Sequence, residues 1–394
     1  MEDHTATTSP FAHGDRRVTV SDDGTISLPS RAMSLALAAR YFDFAAPTYR
    51  FLHRPTAMSW LEAMLTDSAS LSPLRQAIIY LVMATASLYA TETNGATGPS
   101  IQSSEPDIYI AQRYFQAAQR LVRAETGKAT LESVQARLAS VLFLLNTSRL
   151  NEAWYTFGTT YQLAIALGLH RRRSTRRSAI DHIEKECRRR CYWAAYTLDT
   201  YLSVILGRPA LVTDHGVDQS MPTLANDDEI SEDCITRLAR PKDCITAAPY
   251  YHTKLARIVR EASVLQDHAS HTSPAEQVVT AKRLNKEIVA WQDQLPAFLS
   301  GDIHPSSLIP LFRRQQNVLQ VANAHATMIV NRPFILSQHT IPDDTREHVD
   351  ICLHAAKKIL HMVMDMAASN QLFSAFWNTQ VRSGCRGRWS HSRH

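Results

Sequence analysis

The chain has no cysteine before residue 187, only 12 glycines in 394 residues, and no apolar run long enough to cross a bilayer. Its six cysteines (Cys187, Cys191, Cys234, Cys244, Cys352 and Cys385) are scattered, and no apolar N-terminal signal precedes them. That excludes a secreted disulfide framework and favours a reducing compartment. Scarce glycine, with 45% hydrophobic and 20% charged residues, excludes a fibrous or disordered class for most of the length. The longest strongly apolar run, "AIIYLVMATASLYA" at 77–90, makes a helix of roughly 20 Å against a bilayer core of about 30 Å. It reads as a buried helix. A formal charge of +5 spread over the whole length leaves no global footprint for nucleic acid. Also absent are a Gly-rich phosphate loop, a G-x-S-x-G elbow and an H-E-x-x-H pair, and the 17 histidines show no ligand spacing.

What is present is helical periodicity. Residues 1–28 are polar and without apolar rhythm, and are expected to form a disordered leader. From 29 to 380 the pattern predicts an all-α domain of antiparallel helical hairpins without a sheet, about a dozen helices long. Leu35, Leu37, Ala38, Tyr41 and Phe42 share a face before "AAP" interrupts it, and Thr56 or Ser59 can cap the helix after "HRPT". Further helices are expected at 73–91, 106–125, 247–267, 275–294, 306–330 and 344–368. Residues 131–170 predict a hairpin, with Asn151 capping its second helix and Gly168 stopping it. Arg-Pro pairs at 54–55, 208–209 and 332–333 are each expected to begin or end a helix. The tail 381–394, "VRSGCRGRWSHSRH", is basic and unpatterned.

Each candidate site carries a plain alternative. Cys187 and Cys191 lie one turn apart and could share a metal, but structural zinc needs four ligands and only the distant His182 is added. The favoured reading is two small buried residues, and no metal or catalytic site is assigned. Arg171, Arg172, Arg173, Arg176 and Arg177 form a candidate nuclear import signal, or a plain loop. Glu184 and Glu186 precede Arg188 and Arg190 by four residues, the order of a solvated ion-pair face. "NDDEISED" invites comparison with the Mg-binding boxes of all-α synthases. Asp227, Asp228 and Glu232 have the wrong spacing for one, so a solvated acidic loop is favoured. "WYTFGTTY" matches the start of a tetratricopeptide unit, but the 34-residue period does not recur. Locally, Gly158 would let a neighbouring helix approach while Trp154 and Tyr161 fill the groove.

Two long segments, "AWYTFGTTYQLAIALGLHRR" and "EKECRRRCYWAAYTLDTYLSVILGRPALVTDHGVDQSMP", resemble the regulatory middle homology region of fungal transcription factors. That region pairs an A-W-x-x-x-G…L-G-L-H hairpin with E-x-R-R-R-x-F-W-x-x-Y-x-L-D-R-x-x-S-x-x-L-G-R-P and a following D-x-D-x-x-x-P. The residues carrying the match are Trp154, Gly158, Gly168, His170, Arg189, Asp199, Gly207, Arg208 and Pro209. "YFDFAAPTYRFLHRPTAMSWLE", "ANAHATMIVNRPFIL" and "CLHAAKKILHMV" extend the resemblance over about residues 30–377. Thr200 departs from it, standing where the family often has Arg, as do Cys191, Tyr192 and Gln162.

The resemblance implies a nuclear transcription regulator controlling a metabolic or biosynthetic gene set, and no enzyme. Its implied partners are other regulators or a second copy of itself, with no membrane, and a small-molecule effector between helices. Family members usually carry an N-terminal binuclear zinc cluster of six cysteines, which this sequence lacks. Zinc is therefore expected only in that missing cluster, and DNA contact only indirectly or through a missing segment. A helical scaffold without regulatory activity and the Mg-dependent synthase are the alternatives. In the motif itself, Cys191, Ala195, Leu198, Leu202 and Ile205 form a core stripe beside Asp199. A buried carboxylate needs a partner. Arg189, Arg190 and Arg208 are the candidates, and the expectation is an Asp199–Arg208 pair fixing the turn after Gly207.

Overall fold

The computed structural model describes residues 9–15, 26–89, 107–172, 181–236, 244–267, 273–336 and 343–368. Apolar residues recurring every three to four positions fold there into twelve α-helices. Among the described residues no strand forms, and extended pairing is confined to an isolated antiparallel bridge between Ile230 and Ile235. The class is all-α.

Helix α1 (Arg31–Arg40) runs into a π-type turn, Tyr41–Ala45, ahead of Pro47, with Leu37, Ala38, Tyr41 and Phe42 buried on the expected face. It is followed by α2 (Arg54–Thr66), α3 (Pro73–Ser87) and α4 (Asp107–Arg123). Helix α3 is the apolar run of the sequence, and its neighbours enclose it. No helix among the described residues is long and apolar enough to span a membrane. The hairpin is α5 (Leu131–Asn146) against α6 (Leu150–Ala166), and α7 (His182–Leu206) carries the family-like motif. Then come α8 (Ala247–Asp267), α9 (Pro274–Asp293), the short α10 (Ala297–Ser300), α11 (Pro310–Leu336) and α12 (Asp343–Ala368).

Two apolar cores result. The first is built by α1 to α7 around Phe51, Ile78, Leu138, Phe143 and Leu198; the second by α8 to α11 around Leu255, Val259, Leu284 and Leu319. Helix α7 lies against α8, and so joins the two, while α12 packs along α11. Burying each of these Leu and Phe side chains is worth about 1.5–3 kcal/mol.

Several local expectations are corrected. Helix α11 does not stop at Arg332-Pro333 but runs through to Leu336. A proline so near a helix end disturbs only the final turn, and the turn is held because Phe334 is buried and stacks on His348 of α12 at 4.4 Å. Neither Thr56 nor Ser59 caps α2. The Arg54 N–H instead donates to the Asp227 carboxylate at 2.9 Å, across 173 residues of chain. Likewise Asn151 lies inside the first turn of α6, and Asp15 accepts from the N–H groups of Asn151 and Glu152 at 3.0 and 2.8 Å. Part of the expected leader is thus ordered, since residues 9–15 sit on the N-terminus of α6, where a carboxylate is electrostatically favoured. Gly158 admits no close helix: a Cβ there would meet Leu211 Cδ1 at an ordinary 3.9 Å. The loop 91–105, the basic tail 381–394 and Cys385 lie outside the described residues.

Candidate functional site

The site grows from α7, whose buried surface is wider than the expected stripe. Cys191, Ala195, Leu198 and Leu202 are buried and Ile205 is half-buried, but Tyr192, Trp193, Tyr196, Thr200 and Tyr201 are buried as well. Helix α7 is therefore a central strut, enclosed through its C-terminal half. A helix buried all round leaves its polar residues with one recourse, partners inside the protein.

Asp199 finds its partners outside the expected set. Its carboxylate accepts from Arg260 Nη2 of α8 at 2.8 Å and from the N–H groups of Leu211 and Val212 at 3.1 and 2.9 Å. Arg260 also donates to the Val212 carbonyl, to Tyr196 O at 3.3 Å and to Thr200 Oγ1 at 2.9 Å, and lies 4.2 Å from the Tyr196 ring centroid. Thr200, the departure from the family pattern, thus supplies an acceptor for this arginine. Burial raises the Asp199 carboxyl above its ordinary range, in spite of the attraction of Arg260 and the two backbone donors. Asp199 and Arg260 together hold the segment after Gly-Arg-Pro onto α7 and α8.

Arg208 is displaced from its expected role by geometry. Gly207 adopts φ 62° and ends α7, and the Arg208 N–H closes back onto Ser203 O at 3.1 Å. This is a Schellman-type stop. The same device ends α6, where Gly168 has φ 66° and Leu169 N–H reaches Ala164 O at 2.9 Å. The turn points the Arg208 guanidinium away from Asp199 and toward α6. There it donates to Asn151 Oδ1 at 2.6 Å and stands 4.5 Å from the Trp154 ring centroid. Pro209 is exposed, and His170 serves through its carbonyl, which accepts from the N–H groups of Asp218 and Gln219 at 3.2 Å each.

The "RRR" run is not a solvated face. Arg188 donates to Leu167 O at 2.7 Å, tying the end of α6. Arg189 donates to Thr223 Oγ1 at 2.9 Å and to Glu186 at 3.3 Å. Arg190 is buried between Glu186 at 3.3 Å and Asp227 at 2.5 Å. Glu186 itself is only 1% exposed and also accepts from the Thr223 N–H at 2.9 Å. Burial alone would raise the Asp227 carboxyl. Arg190 and Arg50, with the bonds from Arg190 and the Arg54 N–H, outweigh it and hold Asp227 below the usual carboxylate range.

The acidic loop is therefore neither a metal box nor wholly solvated. Asp227 is turned inward onto Arg190 and α2, while Asp228 and Glu232 are exposed and the three carboxylates do not converge. Cys187 and Cys191 are both buried, and burial pushes the Cys187 thiol up to about 12 and the Cys191 thiol well above its ordinary value. Among the described residues no cluster of His, Cys, Asp and Glu is arranged to hold a metal ion. Of the candidate import signal, Arg171 and Arg172 are exposed beside the 216–219 loop, and Arg173, Arg176 and Arg177 lie outside the described residues.

Beside the Asp199–Arg260 pair opens a cleft of about 830 Å³, between the end of α7, the segment 209–214, α8 and α9. Tyr196, Val212 and Arg260 form its inner wall. Lys254, Arg257, Glu261, Glu287 and Gln294 line it with charge and amide groups, and Trp291 adds a ring. Pockets of about 300–1,000 Å³ with a few convergent polar groups suit small molecules. Arg260, the residue joining pair and cleft, was not singled out from the sequence. Its signal was an arginine one turn after Ala256, on the apolar face of α8.

An all-α chain whose central helix ends in Gly-Arg-Pro, with its polar residues locked inward and a cleft at its end, has the build of a helical regulatory domain. The family model of the fungal specific transcription factor domain matches residues 38–293, and the chain belongs to that family. It is similar to Activator of stress genes 1 of Saccharomyces cerevisiae, at 25% identity over 367 residues, covering 89% of this chain and 37% of that protein. Activator of stress genes protein 1 of Candida albicans is 23% identical over 391 residues, covering 89% and 39%. An ABC-transporter-regulating transcription factor of Aspergillus fumigatus is 25% identical over 269 residues, covering 68% and 29%. The chain thus spans less than half the length of each of these relatives. No solved structure matches it.

Proposed function

We propose that this chain is the regulatory body of a fungal transcription regulator, acting in the nucleus on a metabolic or biosynthetic gene set. It reaches DNA through partner regulators, a second copy of itself or a separate DNA-binding part, and it performs no catalysis and carries no cofactor of its own. Family membership supports the regulatory role, and the relatives named as activators and regulators point the same way. The exposed Arg171 and Arg172 begin the segment we assign to nuclear import.

The observation that carries the reading furthest is the shared wall of the cleft. Val212 and Arg260 line it and are also the groups that Asp199 holds. A small molecule seated against Arg257 and Trp291 would press on the element that fixes the end of α7. Such an effector would bias the packing of α7 against α8, a contact that joins the two cores. The test pairs transcript profiling after gene deletion with a DNA-binding assay on the purified chain. A defined set of changed transcripts, with no sequence-specific binding by the chain alone, supports the proposal. An unchanged transcript profile would return the chain to the status of a helical scaffold.

A further inference from the structure

Further toward the start of α7 than the cleft lies a small interior cavity of about 20 Å³, bordered by Arg50, Arg190, Ala194, Thr197, Pro222 and Thr253. Both arginines are almost wholly buried, at 6% and 4% exposure. Arg50 Nη1 is used by the Phe42 carbonyl at 2.6 Å, and Arg190 Nε and Nη1 are used by Glu186 and Asp227. Two buried nitrogens, Arg50 Nε and Arg190 Nη2, have no hydrogen-bond partner among the described residues. Leaving such groups unsatisfied is expensive, about 1–3 kcal/mol each and more when charged.

The charges around the cavity are unevenly paired. Glu186 and Asp227 both pair with Arg190, and Glu186 also with the half-buried Arg189, whereas among the described residues no carboxylate pairs directly with the buried Arg50 guanidinium, which bonds the Phe42 carbonyl. A buried positive charge without a directly bonded counter-charge is costly. The hydroxyls nearby do not supply it. Thr197 and Thr253 donate to their own helix carbonyls, Trp193 O and Pro249 O, or to each other. A space of this size admits one particle of water or halide dimensions and excludes sulfate or phosphate.

We propose that this cavity binds a single halide-sized inorganic anion, chloride in the cell, held between Arg50 Nε–H and Arg190 Nη2–H. The anion neutralises the Arg50 guanidinium and satisfies both donors at once. Its position gives it a structural task. It joins the segment entering α2, the middle of α7, the loop at Pro222 and the first turns of α8, and so pins the first core to the second beside Thr197 and Thr253.

The test uses the purified full chain unfolded by heat at constant ionic strength, with chloride or bromide exchanged for gluconate. The expected result is stabilisation by both halides, with the unfolding equilibrium constant falling toward tenfold per tenfold rise in halide once the site is half filled. Arg50→Met should abolish this dependence. Should that variant fail to fold, Ala194→Leu, which fills the cavity and keeps both arginines, should abolish it instead. Crystals grown in bromide should show an anomalous peak between Arg50 Nε and Arg190 Nη2. Equal melting in chloride and gluconate, or density there without anomalous signal, would overturn the proposal and make the occupant a buried water.

Discussion

Replacing Asp199 by Ala deletes an acceptor that serves three donors, Arg260 Nη2 and the N–H groups of Leu211 and Val212. Breaking a buried ion pair from one side typically costs about 3–5 kcal/mol. Two features place this case near the lower bound. Arg260 keeps the carbonyls of Tyr196 and Val212 and the Thr200 hydroxyl, and the Asp199 carboxylate is itself strained by burial, as its raised pKa shows. The expected loss is therefore about 3 kcal/mol, read from the midpoint shift of urea or guanidinium unfolding at unchanged slope. A double-mutant cycle makes the assignment specific. Asp199→Ala with Arg260→Met should cost clearly less than the sum of the single changes, whereas Asp199→Ala with Arg208→Met should be additive. A loss under about 1 kcal/mol, or coupling to Arg208 in place of Arg260, would refute the reasoning.

Three further outcomes follow from local geometry. His348 donates from Nδ1 to Asn331 Oδ1 at 2.7 Å and has its Nε2 buried, so burial lowers its pKa from 6.5. A depressed folded value means full stability above about pH 6.5 and loss as pH falls through the folded pKa; His348→Phe should flatten that slope in unfolding measured from pH 7.5 to 5. Gly207→Ala puts a Cβ into open space but keeps φ at 62°, and should cost about 1 kcal/mol by calorimetry from backbone strain alone. In the native protein, peptide mapping after brief alkylation should find the exposed Cys234 labelled, and the buried Cys187 and Cys191 labelled only on unfolding.

The helices were legible because their signal is local. The expected 247–267 coincides with α8, and Gly168 and Gly207 end α6 and α7 through the φ that glycine tolerates. The caps were not legible, since Asp15 and Asp227 reach α6 and α2 from 136 and 173 residues away. For the same reason the motif was found but its wiring was misassigned. The nearest arginine in sequence, Arg208, is turned toward Trp154 by the very glycine that ends the helix, and the true partner waits on α8. Arg190 and Glu186 carry the spacing of a surface pair and lie buried, because spacing describes a helix and says nothing of what covers it. The cleft and the anion cavity were invisible for a further reason: each is a space enclosed by segments far apart in the chain.

The central claim is that the cleft beside Asp199 and Arg260 controls a regulatory output. It is tested most directly by fusing the chain to an unrelated DNA-binding domain in a fungal host and measuring a reporter under that domain's operator. Arg257→Ala and Trp291→Ala, in the cleft wall but outside the ion pair, should alter reporter output several-fold at unchanged protein level. If both fusions match the unmodified chain across growth conditions that change its output, the cleft is not the regulatory site.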